Sequence, residues 1–283
     1  MAISTVLKKL SMATAGAAAF IALGTVGIGQ ANATTTSPDS YGYTATDEIP
    51  FTFQDISGTG TRVLGGVDDS AASADLGFNF NFYGTNYSSV SFSSNGLITF
   101  GGSTSQYSNT DLTTSGPFGN LATIAPFWDD LQFFGGGTDA VYYQTVGTAG
   151  SQQFITQWNN VGGYYSSPSP MTFQATLFEG SNDILLSYLD VNSGDFRSFG
   201  GDATVGIRNV NGESTGENLQ WSFNSPVLRD GQSIRISSNA QAVPEPASVL
   251  GLLAVGAMGA GSTALKRKQK QIATAEVELN DLN

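Results

Sequence analysis

The chain has 283 residues, 40% of them hydrophobic and 11% aromatic, with no histidine and no cysteine. Enough apolar mass is present to bury a core. A Ser-His-Asp triad, a cysteine nucleophile and a His/Cys zinc site are excluded. Net charge is −12, and between Thr34 and Ala242 there are 19 Asp/Glu, no Lys and only five Arg, at Arg62, Arg197, Arg208, Arg229 and Arg235. A surface of that sign repels phosphate backbones, which argues against nucleic acid as a partner.

Residues 1–33 read as a secretory signal peptide. Lys8 and Lys9 supply the positive charge, and Leu10 to Ile28 is apolar or small throughout. Ala31-Asn32-Ala33 then presents small residues at the two positions, Ala31 and Ala33, that signal peptidase recognises. Cleavage is expected between Ala33 and Thr34, with retention as an N-terminal membrane helix as the alternative. Residues 34–48, rich in Thr, Ser, Asp and Gly, read as a flexible lead-in.

From Ile49 the pattern changes to short apolar runs separated by Gly, Asn, Ser and Asp. Leu76, Phe78, Phe80 and Phe82 alternate with Gly77, Asn79 and Asn81, a period of two that marks a half-buried strand. Met171, Phe173, Ala175 and Leu177 repeat it, as do Ile184, Leu186 and Tyr188, and Ala203, Val205 and Ile207. Asn95-Gly96 between two such runs suits a type I′ turn, and Asn211-Gly212 and Asp230-Gly231 read as further turns. The expected fold is all-β, a single antiparallel β-sandwich of about 10–12 short strands over residues 49–238. The glycine-rich Gly65-Gly66, Gly135-Gly136-Gly137 and Gly200-Gly201 read as loops, since no helix and no Lys follow them in a phosphate-binding pattern.

Carboxylates are the remaining candidates for chemistry in this region. Asp68-Asp69 and Asp129-Asp130 are adjacent pairs, and neighbours on a strand point to opposite faces, so neither pair is a ready glycosidase dyad. Asp129 and Asp130 have two readings: a loop end that hydrogen-bonds its own backbone, or a calcium site built with loop carbonyls. No other cofactor is expected. Trp128, Trp158, Trp221, Tyr142, Tyr143, Tyr164 and Tyr165 either fill the core or form a sugar-stacking platform. Tyr164-Tyr165, in a Gly/Ser/Pro loop, is the best exposed candidate.

The C-terminus carries three elements in order. Val243-Pro244-Glu245-Pro246 is an extended stretch, because two prolines exclude helix interior. Ala247 to Leu265 runs 19 residues without a charge and as a helix would span about 28 Å, close to the roughly 30 Å of bilayer hydrocarbon. A basic stop follows at Lys266, Arg267, Lys268 and Lys270, which the positive-inside rule places in the cytoplasm. Gln271 to Asn283 forms a short acidic extension.

This order of motif, span and basic stop resembles the PEP-CTERM sorting domain. The resemblance implies processing by exosortase near Pro244, Glu245 and Pro246, an inner-membrane intermediate, and delivery to the cell surface or extracellular matrix, often in organisms that make exopolysaccharide. A permanent single-pass anchor is the alternative. The string Ala122 to Leu131, with Phe92-Ser93-Ser94-Asn95-Gly96-Leu97-Ile98-Thr99-Phe100 upstream and Phe154 to Val161 and Phe173 to Phe178 downstream, resembles nidogen-like extracellular β-domains. That resemblance implies a non-enzymatic adhesion or interaction module, with extracellular polysaccharide or another surface protein as partner. The competing expectation is a secreted carbohydrate-active hydrolase that uses Asp/Glu.

Overall fold

A computed structural model describes residues 34–117, 120–165 and 169–238. The signal peptide, the sorting motif with its span and basic stop, and the acidic extension lie outside the described residues. Among the described residues no helix is long and apolar enough to cross a membrane.

Among the described residues fourteen strands form: β1 Tyr43–Thr46, β2 Thr61–Val63, β3 Ala71–Phe82, β4 Thr85–Ser93, β5 Ile98–Phe100, β6 Ala122–Trp128, β7 Leu131–Gln132, β8 Ala140–Val146, β9 Gln153–Gly163, β10 Met171–Phe178, β11 Ile184–Asp190, β12 Thr204–Arg208, β13 Asn218–Phe223 and β14 Gln232–Ser238. An eight-stranded sheet has the order β1-β14-β11-β10-β9-β8-β2, with β7 paired to β9. A six-stranded sheet has the order β13-β12-β6-β5-β4-β3. Every strand pair is antiparallel. The strand count exceeds the expected range because β1, β2 and β7 have two to four residues each, too few for a period of two to register.

The alternating residues point inward as expected. Leu76, Phe80, Phe82, Phe173, Leu177, Leu186, Val205 and Ile207 are all fully buried in one core between the sheets. Phe127 of the small sheet stacks on Phe173 of the large one, centroids 5.3 Å apart, and Trp158 stacks on Phe173 at 5.1 Å. Two polar groups inside the core are satisfied across the sheets. Tyr188 donates its hydroxyl to the Pro126 carbonyl at 2.8 Å, and Trp158 Nε1 donates to the Ser93 carbonyl at 2.8 Å.

The lead-in reading of residues 34–48 is corrected. Tyr43–Thr46 is a strand, paired to Arg235–Ser238, and Thr35 bridges back to Thr46. Tyr43 is buried in an aromatic cluster with Tyr41, Phe82 and Tyr83. Polar composition hid this, because the strand is anchored by partners nearly 200 positions away.

The outer face of each sheet is crossed by a strap. Residues 49–60 cross the large sheet, where Ile56 closes a small cluster with Ala140, Tyr142 and Ile155. The loop after β5 crosses the small sheet, where Leu112 packs on Leu97, Ala125 and Trp128. β10, β11 and β12, expected to be half-buried, are therefore covered on both faces for most of their length, while β3 keeps its alternation, and Gln157, Gln174 and Ser187 are buried with the apolar residues.

Candidate functional site

One end of the sandwich gathers the loops between β2 and β3, β4 and β5, β6 and β8, β9 and β10, and β11 and β12. The hub of this loop end is the hairpin tip Ser94-Asn95-Gly96. Ser93 N donates to the Leu97 carbonyl at 2.9 Å, and of the tip residues only Gly96 has positive φ, at 75°. The turn is thus a three-residue loop closed by a glycine bulge rather than the expected type I′ turn. A Cβ on Gly96 would lie 1.9 Å from the Phe127 carbonyl oxygen, so close approach to β6 fixes glycine here as well as φ.

Asn95 is fully buried, and its amide joins three loops. Nδ2 donates to Asp69 Oδ1 at 2.8 Å and to the Ser105 carbonyl at 3.0 Å, while Oδ1 accepts from Leu131 N at 2.9 Å. Val67 accepts from Phe133 N at 3.0 Å, and Gly66 and Gly135 pass within contact distance. These ties bring the β2–β3 loop beside the end of β6.

The two carboxylate pairs are rearranged as a result. Asp68, Asp69 and Asp130 each present an oxygen within 4.8 Å of the others. Asp129 points away from them, is 3% exposed, and pairs with Arg197 Nε at 3.3 Å. The calcium expectation for Asp129 with Asp130 therefore shifts to Asp68, Asp69 and Asp130, the residues whose oxygens suit a hard cation. Adjacent position in sequence concealed this grouping, since Asp69 and Asp130 are joined only through Asn95 and the loop it pins. Asp129 also follows its loop-end reading, because its Oδ1 accepts from Asp130 N at 2.7 Å.

Electrostatics divide these carboxylates. Burial pushes the Asp129 carboxyl up to about 7, against the downward pull of Arg197. Asp130 is raised by its partial burial and then by the charges of Asp68 and Asp69. Asp68 is raised by burial and by Asp69.

The aromatic candidates also separate. Trp128, Trp158 and Tyr142 are buried, and Trp221 and Tyr143 pack half-buried against the core. Tyr164 and Tyr165 stand at the loop end, edge to face with centroids 4.1 Å apart, and Tyr165 is 84% exposed. Tyr164 N donates to the Asp130 carbonyl at 2.8 Å, which places the pair beside the acidic cluster. The contact with the Tyr165 hydroxyl pushes Tyr164 up to about 12. Phe134, 59% exposed, lies over Gly162, two residues before Tyr164. Phe134 carries no signal in the sequence, because Phe133-Phe134 ahead of three glycines has no period.

A family model described as NIDO related matches residues 40–248, and a model of the PEP-CTERM protein-sorting motif matches residues 242–268. No curated protein and no solved structure matches the chain. The sorting motif implies export, processing by exosortase and membrane-associated sorting toward the cell surface. With one model spanning most of the β-domain and the other taking over where its strands end, the chain belongs to the NIDO-related family and carries a PEP-CTERM sorting motif at its C-terminal side.

Proposed function

We propose that the chain is a non-enzymatic protein of the cell surface or extracellular matrix, exported through signal peptidase and exosortase, whose loop end binds extracellular polysaccharide. The observation that carries this reading is the exposed Tyr164-Tyr165 pair, with Phe134 nearby and polar Asp68, Asp69 and Asp130 alongside. Exposed aromatic rings stack on the C–H faces of sugars, and neighbouring carboxylates accept from hydroxyls. Strand direction supports the same reading. β14 begins at the loop end, where Gly231 N donates to the Tyr188 carbonyl, and finishes at Ser238 beside Tyr43. Ser238, the last described residue, thus stands at the end opposite Tyr165.

Pull-down on extracellular polysaccharide, run beside a reducing-sugar assay, tests the proposal. The expected result is retention without release of reducing ends, weakened about tenfold by Tyr165→Ala, as loss of one stacking ring implies. Release of reducing ends that stops in Asp129→Asn or Asp130→Asn would replace this reading with a secreted hydrolase. Calcium binding is a second reading, favoured by the convergence of three carboxylates. Millimolar calcium is then expected to raise Tm in the parent chain and to leave Asp130→Asn unmoved.

A further inference from the structure

The outer face of the large sheet holds two side-chain rows that run across the strands and differ in chemistry. The first row is Gln157, Gln174, Ser187 and Ser233, aligned by the register of β9, β10, β11 and β14. It binds the 49–60 strap as if the strap were a ligand. Gln174 accepts from Gln54 N at 3.1 Å and donates to Gln54 O at 3.0 Å. Ser233 accepts from Thr52 N at 3.0 Å, and Gln157 accepts from Ile56 N at 2.9 Å. A row meant for peptide offers a polar side chain to each alternate residue of an extended backbone, because every residue brings a donor and an acceptor.

The second row, two residues further along each strand, is Ile155, Thr176, Leu185 and Arg235. It forms the floor of a groove of about 360 Å³, walled by the strap on one side and by Gln153 and Phe178 on the other. That volume lies at the lower end of the range for small-ligand pockets, roughly 300–1,000 Å³. Three inter-strand steps give a floor about 14 Å long. Two of its four residues are aliphatic, so this row cannot satisfy a peptide backbone as the first does. The row closes the bottom of the groove instead, with apolar surface from Pro50 and Phe178 on the walls and hydrogen-bonding groups at the rim. Among the described residues the side chains of Gln54, Gln153 and Thr176 make no hydrogen bond, so all three are uncommitted.

Charge narrows the ligand further. Arg235 is one of only five arginines between Thr34 and Ala242, where 19 carboxylates stand, yet among the described residues no carboxylate lines this groove. Its Nε, at 3.0 Å, and its Nη2 both donate to Asp183 Oδ2, which orients the guanidinium and leaves Nη1 for a ligand, while the side chain stays 45% exposed. Guanidinium pairs with the planar carboxylate group through its fork of donors.

We infer that this groove binds a carboxylate-bearing sugar chain of the uronate class, laid across β9, β10, β11 and β14. Sugar C–H faces rest on the Phe178 ring, Pro50 of the strap and the edge of Leu185. Hydroxyls pair with Gln54, Gln153 and Thr176, and the uronate carboxylate meets Arg235. None of these residues belongs to the loop end, so the two sites stand or fall separately.

The test is titration of the full-length chain, in mild detergent, with oligogalacturonate and with a dextran oligomer of matched length. Saturable binding of oligogalacturonate is expected, at least about tenfold tighter than dextran and weakening as salt rises. Arg235→Gln is expected to weaken it by at least about tenfold. Thr176→Val, which removes an uncommitted hydroxyl and leaves the Asp183 pair intact, should weaken it severalfold, and Tyr165→Ala should leave it unchanged. Equal affinity for dextran overturns the inference, as does wild-type affinity in both groove variants. Displacement by polyglutamate at matched charge overturns it in favour of an acidic peptide. Binding lost in Tyr165→Ala but kept in Arg235→Gln assigns the sugar to the loop end and leaves the groove without this role.

Discussion

Asn95 and Asp129 show how much of the loop end rests on single buried polar side chains. Asn95 spends its amide on Asp69, Ser105 and Leu131. Asn95→Ala strands a buried Leu131 N–H and frees the β2–β3 loop, so a loss of about 2–4 kcal/mol is expected in urea denaturation. Asp129 gives the chain a pH dependence of definite sign. Its folded-state pKa, about 7, lies above the ordinary 3.8, so the folded chain keeps a proton that the unfolded chain has released. Stability therefore falls as pH rises from about 4 to about 7, with Asp68 and Asp130 acting in the same direction. Asp55, held down chiefly by the Gln157 amide, acts the other way and loses its contribution as pH falls. Asp129→Asn is expected to flatten the decline, by at most about 4 kcal/mol. Urea melts at pH 5 and pH 8 check this, and a slope identical to the parent would remove Asp129 as the source.

At the scale of elements, the straps decide which strand residues are buried. Gln174 holds both the N–H and the carbonyl of Gln54 from a strand 120 positions away. Gln174→Ala should cost about 1–3 kcal/mol and raise amide hydrogen exchange at Thr52, Gln54 and Ile56 more than in β9 or β10. Uniform exchange across the sheet would show instead that the strap and sheet open together. Period-two patterning located β3, β10, β11 and β12 because their inward residues are apolar at every second position. It gave no hint that Gln157, Gln174 and Ser187 would be buried too, since a glutamine beneath a strap looks the same in sequence as one facing water. Likewise Asn95-Gly96 marked a turn, but the turn type depended on how closely β6 approaches.

At the scale of the molecule, the direction of β14 sets Ser238, its last residue, at the end opposite the aromatic loops. Exosortase processing near Pro244-Glu245-Pro246, with the proposed signal-peptidase cut after Ala33, is expected to leave a product that begins at Thr34 and ends near that motif. Mass spectrometry of surface-released protein is expected to recover Thr34 as the first residue and no peptide spanning Pro244 to Leu250. Recovery of that spanning peptide would indicate a permanent anchor.

Local chemistry alone determined the class of the fold, the sorting motif and the exclusion of histidine and cysteine catalysis, because each depends on residue types or on patterns within one continuous stretch of chain. The candidate site was legible only in parts: Asp68-Asp69, Asp129-Asp130 and Tyr164-Tyr165 each stood out in sequence. Their grouping did not, because Asp68 and Asp69 meet Asp130 through loops some 60 positions apart, and Asp129 is turned from them by Arg197. The groove was invisible for the same reason. Ile155, Thr176, Leu185 and Arg235 become neighbours only through strand register, which is fixed by packing the whole sheet.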